Sequence, residues 1–154
     1  MKRSAALVLC TFATIAFARA DTSALVVSEV WSRPATGTAV VYGTFRNRAS
    51  EPDRLVGASS PVASRVELHE STETKMPAMT TSMGNMPMNG SIMSMKSLSS
   101  IPIPAHGTTS LSPGGYHLML DLRRDIKAGD TIPLRLHFAR AGWIATSARV
   151  RPIR

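Results

Sequence analysis

Seven of the nine methionines in this 154-residue chain lie between Met76 and Met95, where the other residues are small, polar or proline. Burial of apolar surface does not explain such a cluster. Thioether sulfur is a soft, neutral ligand that suits Cu(I), and imidazole is its natural partner in an oxidising compartment. His69 precedes the cluster, and His117 and Met119 follow it. These residue types predict a site for a cuprous ion.

The first twenty residues predict where the protein works. Lys2 and Arg3 precede a short apolar run, and residues 18–20 form a small-x-small cleavage site. This pattern indicates that residues 1–20 are a signal peptide and that Asp21 begins the mature protein. We therefore expect a periplasmic protein. The apolar run is shorter than the roughly 20 residues that cross a bilayer, so we expect no membrane span after processing.

The only cysteine, Cys10, lies within the apolar run and follows Leu9 instead of a small residue. We therefore expect no lipid attachment at this position. The mature protein then has no cysteine, which excludes disulfides, thiolate zinc sites, a cysteine nucleophile and a blue copper site. Any metal must be held by histidine, methionine or oxygen ligands.

The charge pattern argues against nucleic-acid binding. The formal net charge is +8, and it becomes +5 when Lys2, Arg3 and Arg19 leave with the signal peptide. The basic residues are scattered, and the few aromatic residues do not interleave with them. The chain also has no nucleophile elbow and no phosphate-binding loop, so we expect a protein that is not an enzyme.

Residues 21–154 form one domain, because they suffice for a single core. Short apolar runs are cut by Gly, Pro, Asn and Asp, which is typical of an all-β sandwich or barrel. The pattern predicts eight strands, at residues 25–31, 39–47, 54–58, 65–69, 92–98, 116–120, 131–138 and 144–150.

Alternation within the strands places the candidate ligands away from the core. Residues two apart on a strand share a face, so His117 and Met119 can bind one ion. Met93 and Met95 repeat this spacing on another predicted strand, and His69 ends a third. Three strands could thus bring two nitrogens and two sulfurs together.

These residues resemble the signature of the PCuAC family of periplasmic copper chaperones, His-x10-Met-x21-His-x-Met. Twenty-one residues separate Met95 from His117, and Met119 completes the motif. The likeness runs through residues 30–34, 39–47, 53–60, 66–70, 103–105, 113–117 and 129–134. It implies a cupredoxin-like, immunoglobulin-like β-sandwich that binds mainly Cu(I), with Cu(II) as a second state. It also implies delivery of copper to a partner such as the CuA centre of cytochrome c oxidase or another periplasmic copper protein, and we expect the domain to be a monomer.

The first spacing departs from the family pattern, because 25 residues instead of ten separate His69 from Met95. The extra residues fall in the methionine-rich stretch. The resemblance implies the ligand set His69, Met95, His117 and Met119, since Met95 keeps the downstream spacing. Met79 and Met93 are alternatives for the first methionine.

The methionine-rich insertion, at about residues 76–91, has several interpretations. Four of its methionines follow a helical stripe, but two prolines and a glycine interrupt that helix. A hairpin tip whose methionines cover apolar surface is a second alternative. We favour a mobile loop that gathers Cu(I), with accessory ligands drawn from Met76, Met79, Met83, Met86, Met88 and Met93.

Some alternatives remain open. A periplasmic copper buffer, which sequesters copper without directed transfer, fits the same ligands. His106 lies in a predicted turn and is a candidate Cu(II) ligand, whereas His137 is expected to be a surface residue. Glu70 and Asp121 flank the candidate ligands and are expected to be solvated surface residues, with orientation of an imidazole as the alternative role. Trp31 and Trp143 are expected to anchor the core.

Overall fold

The computed structural model describes residues 24–75 and 91–152, and this part of the chain is all-β. It contains ten strands: β1 (Leu25–Ser32), β2 (Thr38–Asn47), β3 (Asp53–Ser59), β4 (Ala63–Lys75), β5 (Ser91–Leu98), β6 (Ile101–Ile103), β7 (Thr108–Leu111), β8 (Tyr116–Leu122), β9 (Thr131–Phe138) and β10 (Gly142–Val150). The predicted fold class is confirmed, and each of the eight predicted strands is present.

The strands follow one another in the order β5-β4-β8-β2-β1-β10-β9-β3-β6, and β7 pairs with β2 beyond the end of β8. Every pairing is antiparallel except that of β1 with β10. Although β3 and β4 are far apart in this order, they contact each other. The sheet therefore folds back on itself, and its two halves enclose the core of a β-sandwich.

The core is built from alternate residues of the facing strands. Phe45 of β2 and Phe138 of β9 meet edge to face across it, with ring centroids 5.6 Å apart. Each fully buried Leu, Ile or Phe side chain stabilises the fold by about 1.5–3 kcal/mol. The largest buried side chains are Phe45, Phe138, Leu55, Ile101, Ile103, Leu118, Leu120, Ile132, Leu134, Leu136, Val41 and Val150.

The two strands that the sequence did not predict are β6 and β7. With three and four residues, they are too short to show a clear alternation, and Pro102 stands in the middle of β6. A side-chain hydrogen bond joins them, because the Thr109 hydroxyl donates to the Pro102 carbonyl at 2.7 Å. Tertiary pairing with β3 and β2 makes both segments strands.

The β4–β5 hairpin extends beyond the sandwich. β4 continues six residues past His69 to Lys75, because β5 pairs with it over this length. β5 is the edge strand, and the side chains of residues 93–97 are all exposed. Residues 76–90, which join the two strands, lie outside the described residues. So do the predicted signal peptide and the accessory candidates Met76, Met79, Met83, Met86 and Met88.

The two tryptophans differ from the prediction that they anchor the core. Trp143 is 51% exposed and stacks on His137, with ring centroids 4.4 Å apart. It lies on the outer face of β10, opposite the buried Ala148 and Val150 by alternation. Trp31 is only half-buried.

No helix in the described part of the chain has the length and apolar character needed to span a bilayer.

Candidate metal centre

A pair of histidines lies on the outer face of neighbouring strands β4 and β8. The antiparallel register sets His69 directly opposite His117, and their ring centroids are 5.7 Å apart. The next pair in the register, Leu68 with Leu118, is buried in the core. Because side chains alternate along a strand, both imidazoles point away from the core.

His69 has one ring nitrogen with a partner and one without. Its Nε2 lies 3.4 Å from a carboxylate oxygen of Glu67, to which it can donate a weak hydrogen bond. Its Nδ1 is buried and has no hydrogen-bond partner among the described residues. With the proton on Nε2, the Nδ1 lone pair is available. A buried polar atom without a partner costs about 1–3 kcal/mol, so a metal ion at Nδ1 would remove a penalty.

His117 is buried, with 3% of its surface exposed. Its Nδ1 lies 3.0 Å from the carbonyl oxygen of Gly115. Since a carbonyl only accepts, this hydrogen bond places the proton on Nδ1 and leaves the Nε2 lone pair available. The neighbourhoods of His69 and His117 therefore each prepare one nitrogen for a metal ion.

Met119 belongs to the same face. It lies two residues after His117 on β8 and pairs with Glu67 of β4. Its side chain is half-buried. The spacing expected from the sequence thus places one thioether next to the two imidazoles.

Met95 approaches the histidines from the other side. It pairs with Ser71, which lies two residues beyond His69 on the same face of β4. Met95 is therefore a diagonal neighbour of His69, at about 7–8 Å between backbones, within reach of long side chains. Met93 pairs with Glu73, a further two residues away. Both methionines are exposed, Met93 at 58% and Met95 at 60%.

The two candidate sulfur ligands flank the histidine pair. Met119 pairs with Glu67, and Met95 pairs with Ser71, which lies four residues further along β4. The two methionines are on β8 and β5, the strands that flank β4 on opposite sides. From strand geometry, their backbones are about 17 Å apart. His69, His117 and Met119 form a contiguous group, and Met95 stands beside it on the hairpin.

The available ligands are soft and neutral. Within residues 24–75 and 91–152, no group of three His, Cys, Asp or Glu side chains could hold a metal ion. The candidate group on β4, β5 and β8 combines two imidazoles with methionine sulfur instead. This combination suits Cu(I) better than Zn²⁺ or Mg²⁺.

Two groups that orient the imidazoles were missed in the sequence. Glu67 precedes His69 by two residues on β4, the spacing that puts side chains on one face of a strand, whereas Gly115 lies just before β8 and acts through its backbone carbonyl. Glu70 lies on the opposite face of β4 and pairs with Tyr116, so it does not take the alternative role of orienting an imidazole. Asp121 shares the face of His117 but pairs with Arg65 and Thr38, beyond Met119.

The remaining histidines lie elsewhere. His106 is exposed in a turn, where it adopts a positive φ of 50°. His137 on β9 stacks on Trp143, in the other half of the sandwich. Neither belongs to the group on β4 and β8.

Comparison with known proteins gives the family. The profile of a family described as "Putative lipoprotein LpqE-like" matches residues 25–87 and 74–150. The chain belongs to the LpqE-like family. A putative lipoprotein of Leifsonia xyli subsp. xyli is 35% identical over 115 residues, which make up 73% of this chain and 61% of that relative. The chain thus spans less than two thirds of the relative's length.

Solved structures of PCuAC domains share the fold of this LpqE-like protein. The copper-bound PCuAC domain from PmoF2 has a TM-score of 0.63 at 21% identity, and covers 84% of this chain and 94% of that one. The apo PCuAC domain from PmoF1 has a TM-score of 0.64 at 19% identity, with 84% and 95% covered. The Cu(I) form of DR1885 from Deinococcus radiodurans is 28% identical, with a TM-score of 0.56 and 88% and 85% covered.

Proposed function

We propose that this protein is an extracytoplasmic copper chaperone that binds Cu(I) through His69, His117, Met119 and Met95. The observation that carries the proposal is the histidine pair, in which His69 Nδ1 is buried without a partner and His117 Nε2 is left available. The PCuAC domains of similar fold include copper-bound forms, and the relative of 28% identity is a Cu(I) form. These likenesses support copper as the cargo.

The ligands favour Cu(I) that is held reversibly. Two imidazoles and two thioethers are neutral, so the bound ion keeps its single positive charge. None of these groups is a thiolate, and such a site releases copper more easily than a cysteine site. Cu(II) would be held less well, since only the nitrogen ligands suit it. Reversible binding of this kind suits delivery.

Met95 acts as the closing ligand in this proposal. The other three ligands lie together on β4 and β8, whereas Met95 is exposed on the β4–β5 hairpin. Bending of the hairpin toward β8 would bring its sulfur over His69 and complete the site. Opening of the hairpin would expose the ion to a recipient.

Delivery to a second copper protein, such as the CuA centre of cytochrome c oxidase, is part of the proposal. The family description as putative lipoproteins supports a place outside the cytoplasm, and we propose the periplasm. The domain is proposed to work as a monomer. Binding and transfer need no catalytic group, so the protein is proposed not to be an enzyme.

An anaerobic Cu(I) competition titration of residues 21–154 tests the site. We expect one tight site, weakened at least tenfold, about 1.4 kcal/mol, in His117→Ala and in Met119→Ala. The matched control is His137→Ala, which removes an imidazole from the other half of the sandwich and should keep wild-type affinity. Wild-type affinity in both site variants would remove these residues from the copper site.

A periplasmic copper buffer is the alternative, and the surplus of methionines between Met76 and Met93 favours it. Transfer to a copper-free CuA domain separates the two functions. A chaperone passes Cu(I) faster than free copper equilibrates, whereas a buffer only competes for it. Deletion of residues 80–89 tests the insertion, since loss of copper stoichiometry or capture rate with one tight site intact would support accessory ligands there.

A further inference from the structure

A β-bulge in β1 turns Trp31 from the core to the outer face. Up to Ser28, β1 pairs with β2 in a register that sets Val27 opposite the buried Phe45. Continued alternation would direct residue 31 into the core as well. The register shifts between Ser28 and Trp31, and Trp31 pairs with Tyr42 instead. Tyr42 lies between two buried residues of β2, so it faces outward.

The local structure around the bulge supports this reorientation. Glu29 within it adopts a positive φ of 52°, which costs energy for a residue other than glycine. Gly43 on β2 makes room for the bulge, because a Cβ there would lie 3.3 Å from a Val30 methyl carbon. Bulges are often found next to functional sites, where they redirect a side chain.

Tyr42 is on β2, the strand that lies between β8 of His117 and β1 of Trp31. The last pair between β2 and β8 is Val41 with Leu118, so the register continued by one residue places Tyr42 beside His117. The rings of Tyr42 and Trp31 pack at 4.8 Å between centroids. One row across the outer face therefore runs from His69 through His117 and Tyr42 to Trp31.

Three arginines surround this aromatic pair. The guanidinium carbons of Arg151 and Arg33 lie 5.1 Å and 6.0 Å from the Trp31 ring centroid, and Arg149 pairs with Trp31 in the β1–β10 register. All three are exposed. Among the described residues, no carboxylate forms an ion pair with any of these three arginines. The ion pairs found there involve other cations. The cations are thus available to a partner.

We infer that this surface, the Trp31 patch (Trp31, Arg33, Tyr42, Arg149 and Arg151), docks the copper-accepting protein through carboxylates around that protein's metal site. Trp, Tyr and Arg are the residues that most often dominate binding energy at protein interfaces. The positive charge of the patch is complementary to an acidic partner and would steer its approach. Because the row is continuous with the histidines, docking would set the partner's ligands beside the copper. The inference rests on the proposed function.

The structure provides a matched control at the other end of β10. The Arg135 guanidinium carbon lies 5.0 Å from the ring centroid of the exposed Trp143, an arrangement nearly the same as that of Arg151 over Trp31. Arg151→Glu and Arg135→Glu therefore change the net charge equally and remove the same type of contact. Only Arg151 lies against a residue of the row that contains the histidines, Trp31.

The test uses residues 21–154 and a copper-free CuA domain of cytochrome c oxidase chosen for carboxylates around its metal site. Cu(I) transfer is followed by anaerobic stopped flow at low and high salt, and binding of the copper-free proteins by NMR titration. We expect Arg151→Glu to slow transfer about tenfold at low salt and to weaken binding, with unchanged Cu(I) affinity. Arg135→Glu should stay within about twofold of wild type, and high salt should remove the difference.

Substitution of the aromatic residues gives a second comparison that does not depend on charge. Trp31→Ala should weaken the complex about tenfold, and Trp143→Ala should leave it unchanged. Equal effects of the patch variants and their controls, or no binding by the wild-type protein, would overturn the inference. If the wild-type protein binds the domain through the Trp31 patch but has no tight Cu(I) site, the proposed function fails and the docking surface stands.

Discussion

The role of Met95 can be decided by moving one sulfur along β5. Ser97 is the direct partner of His69, Met95 lies on the diagonal, and Met93 lies two residues further out. At about 3.4 Å per residue, Met93 is displaced from His69 by about 14 Å along the strand and Met95 by about 7 Å. Of these three positions on β5, only 95 and 97 are thus within reach of the histidine pair.

We therefore expect Met95→Ala to weaken Cu(I) binding about tenfold, which corresponds to about 1.4 kcal/mol, and Met93→Ala to weaken it less than threefold. In the Met95→Ala background, Ser97→Met should restore most of the lost affinity, because it places a thioether beside His69 on the same face. All three positions are exposed, so these changes should leave the core intact.

The assay is an anaerobic competition titration against a chromophoric Cu(I) chelator, with thermal denaturation of each copper-free variant as the control for folding. The extended fine structure of X-ray absorption at the copper edge reports the number of sulfur ligands. If Met93→Ala lowers the Cu(I) affinity as much as Met95→Ala does, or if Ser97→Met restores none of the lost affinity, the β4–β5 register does not determine which methionine is the fourth ligand.

Three further outcomes follow from contacts in the structure and from the sequence. Glu67→Gln should weaken Cu(I) binding about threefold to tenfold, because it loosens the orientation of the adjacent imidazole, and Glu70→Gln on the opposite face should have no effect in the same titration. Asp53 is buried and accepts hydrogen bonds from three backbone N–H groups, so Asp53→Asn should lower the free energy of unfolding by about 1–3 kcal/mol, as measured by urea denaturation of the copper-free protein. Mass spectrometry of the secreted protein should find a lipid-free chain that begins at Asp21, and an attached lipid would refute this.

The alternation of apolar and polar residues was sufficient to predict most of the strands. It identified β9 because the buried residues recur at every second position over eight residues, and β8 because the core residues Leu118 and Leu120 alternate with more polar residues. It could not identify β6 and β7, which are too short for a period to show and which become strands by pairing with β3 and β2. It also could not set the end of β4, which depends on pairing with β5.

The tryptophans show where a local pattern fails. Size and hydrophobicity suggested core positions for both. Trp31 is turned outward by a one-residue bulge that no local pattern reveals, and Trp143 is on the outer face of β10, where His137 and Arg135 cover part of its ring. A change of one residue in register moves a side chain to the other face of a sheet.

The sequence by itself determined that this protein is a single all-β domain, and it supplied the soft sulfur and imidazole groups on which the proposed copper chemistry depends. These follow from residue types and from spacing within one strand. Only the tertiary structure decided which ligands are neighbours, because the β4–β8 register aligns His69 with His117, and the β4–β5 register sets Met95 on the diagonal. It also decided which nitrogen each imidazole leaves available, since that depends on Glu67 and on the Gly115 carbonyl. Distances between residues on different strands are set by the pairing of those strands in the fold, so they cannot be calculated from spacing along the chain.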